Sequence, residues 1–281
     1  MLLCLSKTCI ILSANTRSAQ GRCDYQLITT GANSLAVVYR ATLSNKDHLK
    51  LATDMTTDRY LRCCHLAYGA AAVSLLTIHL SFLVSVSQGY IDGCSPYWSD
   101  CSSISRSGRH GLAYFIFKGG MLPAALLLGL FWQLNRLWLG SLAADSAAGR
   151  YLPAVGWTAS LALLIYTLAL GHSGDTFYLL RRFGVVTFLG LSLIAFALLA
   201  GALRRSPLKW HGSLLGRGSA AILGLALISL ALDALMGDDY EQLENAFEWW
   251  LVLLLLVQLL WVARLWQLTA FTLTPHSRPR S

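Results

Sequence analysis

The sequence predicts an all-α, polytopic membrane protein built as a six-transmembrane-helix bundle. Three observations predict it. Only 13% of the 281 residues are charged and 55% are hydrophobic, where a soluble domain carries about 25% charged residues. The charge is absent from several runs of about 20 residues, the length a helix needs to cross the hydrocarbon, and mean hydropathy is +0.53. Lys and Arg crowd the loops on one side of those runs. This composition excludes a soluble enzyme, a disordered chain and a coiled coil. Inside lipid, backbone groups must be bonded within their own segment, so the runs are read as helices.

In chain order, residues 1–54 offer no span. The apolar stretch at 1–12 is short and is split by Lys7, and no convincing small-residue cleavage site follows it. Asp24 is the only acid before Asp47, which leaves a transit peptide as one reading. The preferred reading takes Met55 as a natural start and 1–54 as a mis-assigned or disordered N-terminal extension. A transmembrane domain follows over 55–268, with a basic cytoplasmic tail over 269–281.

The first span covers 66–86 and carries His79. The second covers 112–132 and contains Lys118, Gly119, Gly120 and Pro123, a combination that predicts a kink. Spans three (151–171) and four (183–203) have no Asp, Glu, Lys, Arg or His. The fifth covers 219–236 with Asp233 near its end, and the sixth covers 246–266 with Glu248 near its start. The longest loop, 87–111, is rich in Ser, Gly and Asp.

Orientation follows from the basic residues. With the chain before the first span inside, the inner flanks hold eleven: Arg59, Arg62, Arg136, Arg150, Arg204, Arg205, Lys209, Arg217, Arg264, Arg278 and Arg280. The outer loops hold four: Arg106, Arg109, Arg181 and Arg182. The positive-inside bias predicts N-in and C-in, as in a bacterial inner (plasma) membrane protein. It also accounts for the net charge of +8. Nucleic acid is not an expected partner, because no Lys/Arg stripe with interleaved aromatics is present. Membrane lipids are expected partners, with anionic lipids at the basic cytoplasmic face.

Of seven cysteines, Cys94 and Cys101 share the longest outer loop. A disulfide between them is favoured if that loop meets an oxidising compartment; the rival reading is two unrelated thiols. Their spacing fits no common zinc pattern.

Ionisable groups within spans are expensive and mark functional sites by default. His79, Lys118, His172, Asp233 and Glu248 all fall in the outer half of the bilayer, with Asp175 just outside. They predict one polar pocket open to the outer leaflet, for a lipid head group or for acid–base chemistry. Each has a plainer reading: Asp233 and Glu248 as helix ends at the interface, Lys118 as a snorkelling chain, His79 as an interhelical hydrogen bond. His172, Asp175 and Glu248 are the catalytic candidates. No nucleophile elbow, zinc-protease motif or phosphate loop occurs. No metal is expected, since a zinc site needs three convergent ligands, and no cofactor: two His at different depths do not make a haem pair.

Three stretches resemble one family. Ser103-Ile-Ser-Arg-Ser-Gly108 followed by Phe115-Ile-Phe is similar to the outer-loop motif of the FRAG/DRAM/Sfk family (CWH-type N-terminal domain). His172 followed by Phe177 resembles the family's His before the fourth span. Asn245-Ala-Phe-Glu-Trp249 resembles the Glu-Trp that opens its last span. The resemblance spans roughly 60–267, and Arg106 and Gly111-Leu-Ala depart from it, as in a divergent member. It implies six spans with both ends inside and a role in lipid handling, with Ser105, Gly108, His172, Glu248 and Trp249 as the carried-over positions. The expected function is lipid binding, remodelling or distribution. A membrane-embedded lipid hydrolase or acyltransferase is the first alternative, and a small-molecule transporter the second.

Overall fold

The computed structural model describes residues 25–30, 34–39, 61–98, 101–142, 146–236 and 240–273. The chain divides into two units, Met1–Arg59 and Tyr60–Ser281.

In the first unit, β1 (Tyr25–Thr30) pairs antiparallel with β2 (Ser34–Tyr39), Tyr25 opposite Tyr39 and Thr30 opposite Ser34. This hairpin lies within the stretch read as a mis-assigned or disordered N-terminal extension. Both segments are rich in β-branched and aromatic residues, and Gly31 and Asn33 stand between them, a strand–turn–strand composition. The remainder of 1–54 lies outside the described residues.

The second unit is helical. Its helices are α1 (Cys64–Ser87), the one-turn α2 (Ile104–Ser107), α3 (Gly111–Ser141), α4 (Ala147–Ala169), α5 (Asp175–Leu203), α6 (Lys209–Met236) and α7 (Glu241–Leu268). The six long ones are each long and apolar enough to cross a membrane, so the chain is a multi-pass integral membrane protein. All six predicted spans are found. Three helices outrun their predicted spans by eight residues or more, α5 among them, since it begins at Asp175 rather than 183. α3 continues past 132 to Ser141, about 46 Å at 1.5 Å per residue, and α6 begins at Lys209 rather than 219. Charge marks where hydrocarbon ends. A helix satisfies its own backbone and runs on past that boundary. The kink predicted in the second span does not break the helix: α3 is continuous through Pro123.

The long helices close a ring in chain order, α1–α3–α4–α5–α6–α7 and back to α1. Leu61–Arg62 (β3) pairs with Thr272–Leu273 (β4) where the ring closes. The unit therefore begins and ends at one end of the bundle, called the terminal end below; the opposite end carries α2. The start of the predicted tail is thus tied to the fold, and 274–281 lies outside the described residues.

Small residues let these helices approach. A Cβ at Gly120 would collide with Thr77, one at Gly156 with Trp132, and one at Gly184 with the backbone of Tyr166 and Ala162. This suits packing in lipid, where apolar burial gives helices no reason to associate and close contact does. Trp132, Trp138, Trp266 and Phe131 are fully buried near the terminal end, with rings meeting edge-on or tilted. Large apolar residues such as Leu83, Leu161 and Leu227 face outward. The outward bias is strongest in α6, where 11% of the most apolar stretch is buried against 33–50% in the other spans.

Candidate functional site

The loop between α1 and α3 folds over the far end of the bundle, and local chemistry explains how. Ser103, in extended backbone, accepts a hydrogen bond on its side chain from the Arg106 N–H (3.1 Å) and so caps α2. Gly108 ends that turn against Phe117, whose ring lies 2.6 Å from where a Cβ would be. Gly111, at φ 57°, takes left-handed backbone that suits glycine, and the next N–H, Leu112, donates to Gln88 Oε1 (3.0 Å). Cys94 and Cys101 form the favoured disulfide, with Cα atoms 5.6 Å apart.

The start of α7 anchors this loop. The Glu248 carboxylate accepts from the Ile104 N–H at 3.1 Å, and the Trp249 indole N–H donates to the Ser102 carbonyl at 2.8 Å. Trp250 donates to the Tyr97 carbonyl at 3.1 Å. Trp249 is fully buried among His79, Phe82 and Tyr97, ring centres 5.4–5.7 Å away. His79 Nε2 lies 2.8 Å from the Tyr97 hydroxyl and Nδ1 lies 2.8 Å from the Leu75 carbonyl. A carbonyl only accepts, so Nδ1 carries the proton and Nε2 accepts from Tyr97. Burial raises the Tyr97 hydroxyl above its ordinary pKa, which keeps it a donor.

Beneath the loop a cavity of about 60 Å³ runs into the bundle. At about 10–15 Å³ per water, it holds a string of roughly four to six. Along α7 its wall runs from Glu248 through Val252, Leu255 and Leu256 to Leu259, on the order of 16 Å. A volume that small over that length makes a narrow cavity, called the tunnel below. Phe117, Met121, Leu163, Phe188 and Phe196 line it with Ser74 and Ser192. Its polar end is Glu248 and Tyr166. The Tyr166 hydroxyl is buried without a hydrogen-bond partner among the described residues. Nearby, Arg109 donates to the Ser105 hydroxyl (3.2 Å), while its Nε has no partner. Burial and the neighbouring Arg181 hold the Arg109 guanidinium below its ordinary pKa, opposed by Tyr166 and Glu248. Tunnel and mouth together offer a hydrocarbon chain a slot and its head an acceptor, a donor and a cation.

Of the residues predicted to share one pocket, Glu248 alone lines the cavity. His79 is held by Leu75 and Tyr97. His172 is exposed with its ring stacked on Phe177, centres 4.7 Å apart; its carbonyl accepts from Arg181 at 2.7 Å. Asp175 is exposed as the first residue of α5, and Asp233 is exposed on α6. Lys118 does not snorkel free: its ammonium donates to the Tyr114 hydroxyl (2.7 Å) and the Leu168 carbonyl (3.2 Å) and sits over the Tyr114 ring. Trp249 and Gly108 pack the lid, and Ser105 holds Arg109. Depth along a helix leaves azimuth open, and azimuth separates these side chains. The reading by charge missed Tyr166, a hydroxyl in a span otherwise free of charge, and took Arg109 only as a topological marker. No group of three or more His, Cys, Asp or Glu among the described residues can hold a metal.

No family model, curated protein or solved structure matches the chain.

Proposed function

We propose that this chain handles membrane lipid: it takes a single hydrocarbon chain from the outer leaflet into the tunnel and holds the polar head at Glu248, Tyr166 and Arg109. The observation that carries the reading is the narrow apolar cavity ending on a half-buried carboxylate and an unpartnered buried hydroxyl. Hydrocarbon displaces water favourably from a cavity lined mainly by apolar side chains, and an unpaired buried hydroxyl is costly until a ligand pairs with it. The similarity of Ser103–Gly108, His172 and Glu248-Trp249 to the FRAG/DRAM/Sfk family supports the same role. The basic bias of the terminal end supports N-in, C-in insertion, which in a bacterium means the inner membrane with the lid facing out. The hydrolase alternative draws no support from His172 and Asp175, which are exposed.

Lipid mass spectrometry on the purified full chain tests the reading. A lipid enriched over bulk membrane is expected, and it should be lost in Ser192→Leu, which fills the tunnel at a residue 3% exposed. Glu248→Gln can still accept from Ile104 N–H, so it should fold normally and lose lipid. A lipid profile equal to bulk membrane in the natural protein would overturn the proposal.

A further inference from the structure

At the terminal end, a second site is built where α5 gives way to α6. The chain turns there tightly: the Ser206 hydroxyl donates to the Leu203 carbonyl and accepts from the Leu208 N–H. Gly212 lets α6 close on the end of α5, since a Cβ there would lie 2.7 Å from Arg204 N and 2.8 Å from Leu203 Cβ. One turn further, Gly216 leaves the space where the Arg204 guanidinium rests, with Cζ 3.2 Å from the absent Cβ. Arg204 is thereby laid across α6. Lys209, Ser213 and Arg217 recur every fourth residue and share the α6 face that Arg204 reaches. Together with Trp210 and Leu214, these residues line a groove of about 370 Å³, a size suited to a small ligand group.

The groove's three cations have no hydrogen-bonding or ion-pair partner among the described residues. No described residue at the terminal end is a carboxylate. Three like charges therefore converge, fixed in part by a glycine, with nothing among the described residues to neutralise them. Trp210 beside them is 67% exposed, the placement of an aromatic anchor at a membrane–water interface. Leu214 continues the groove toward hydrocarbon. A cationic head, an interfacial ring and an apolar flank match the order of phosphate, glycerol and acyl chain along a lipid.

We propose that Arg204, Lys209, Arg217 and Trp210 form a binding site for the phosphate of an anionic phospholipid in the leaflet at the terminal end. It is independent of the tunnel and of what the tunnel binds. Arg and Lys meet phosphate oxygens with charge-assisted hydrogen bonds, and basic pockets between helices at this depth suit anionic head groups.

The test uses the full chain in nanodiscs of equal phosphatidylglycerol and phosphatidylcholine, with retained lipids counted by native mass spectrometry. The natural protein should retain phosphatidylglycerol over phosphatidylcholine by about tenfold or more, as three nearby cations imply. The triple variant R204Q/K209Q/R217Q should fall to near parity. R150Q/R205Q/R264Q, which removes the same charge elsewhere at this end, should keep the preference. Gly216→Ala, which displaces the Arg204 guanidinium at constant net charge, should lower it about twofold or more by the loss of one cation contact. Equal loss in both triple variants would overturn the site in favour of a diffuse field, as would absence of any preference in the natural protein. Calorimetry with inorganic phosphate supplies the last arm: tight binding of phosphate without phosphatidylglycerol enrichment would assign the groove to a free anion and overturn the lipid.

Discussion

At the scale of single residues, two aromatic–polar pairs near the lid behave oppositely despite similar sequence settings. Trp249 is fully buried, bonded to Ser102 and ringed by His79, Phe82 and Tyr97. Trp249→Ala should cost about 3–5 kcal/mol, as large aromatic truncations in packed sites do, and thermal unfolding in detergent will show it. His172 has its ring exposed on Phe177, so His172→Ala should leave the midpoint nearly unchanged. A large drop in the second variant would mean that His172 contributes a contact this geometry does not contain. The Glu-Trp pair was legible as a motif and its neighbours were not, because Tyr97 and Ser102 reach it across about 150 residues of sequence.

Helix packing is decided by which glycines face a neighbour. Gly184 and Gly190 lie on the same helix, α5. At Gly184 a Cβ would meet Tyr166 N at 2.9 Å and the Ala162 carbonyl oxygen at 3.0 Å, both backbone atoms with little freedom to yield; at Gly190 nothing lies within 4 Å. Gly184→Ala should destabilise by about 1–3 kcal/mol through overpacking. Gly190→Ala should be neutral or stabilising by up to about 1 kcal/mol, since glycine weakens a helix interior. Equal midpoints for the two would refute the α4–α5 contact. For the lid, the Cys94–Cys101 bond restrains a loop held otherwise by a few hydrogen bonds. Neither cysteine should take an impermeant maleimide until reductant is added, and loss of the bond should cost about 2–4 kcal/mol.

Across the whole molecule, the β3–β4 pairing places the first and last helices' ends together, which demands an even number of crossings. Reporters fused before residue 60 and after Ser281 should therefore act on the same side of the membrane, and the proposed orientation predicts that this side is the cytoplasm. Activity on opposite sides would break the ring. Residues 60–281 cluster as a unit of their own, so a chain beginning at Met55 should insert and unfold like the full one. Failure to insert would give 1–54 a part in assembly.

The sequence by itself determined that six helices cross a membrane, roughly where they lie, and which end is basic. Those properties are sums over runs of residues, and hydrocarbon thickness reads them directly. It also marked Cys94, Cys101, Glu248 and Trp249, because a charge or a cysteine in an apolar or Ser/Gly-rich setting stands out locally. The tertiary structure alone decided that Glu248 faces the tunnel while His79, His172 and Asp233 do not, that Tyr166 is the tunnel's second polar group, and that Arg204 lies over Gly216 beside Lys209 and Arg217. Hydropathy measures depth along a helix and says nothing of rotation about it. Rotation is set by side-chain packing between neighbouring helices, where a glycine or a methyl group decides which face turns inward.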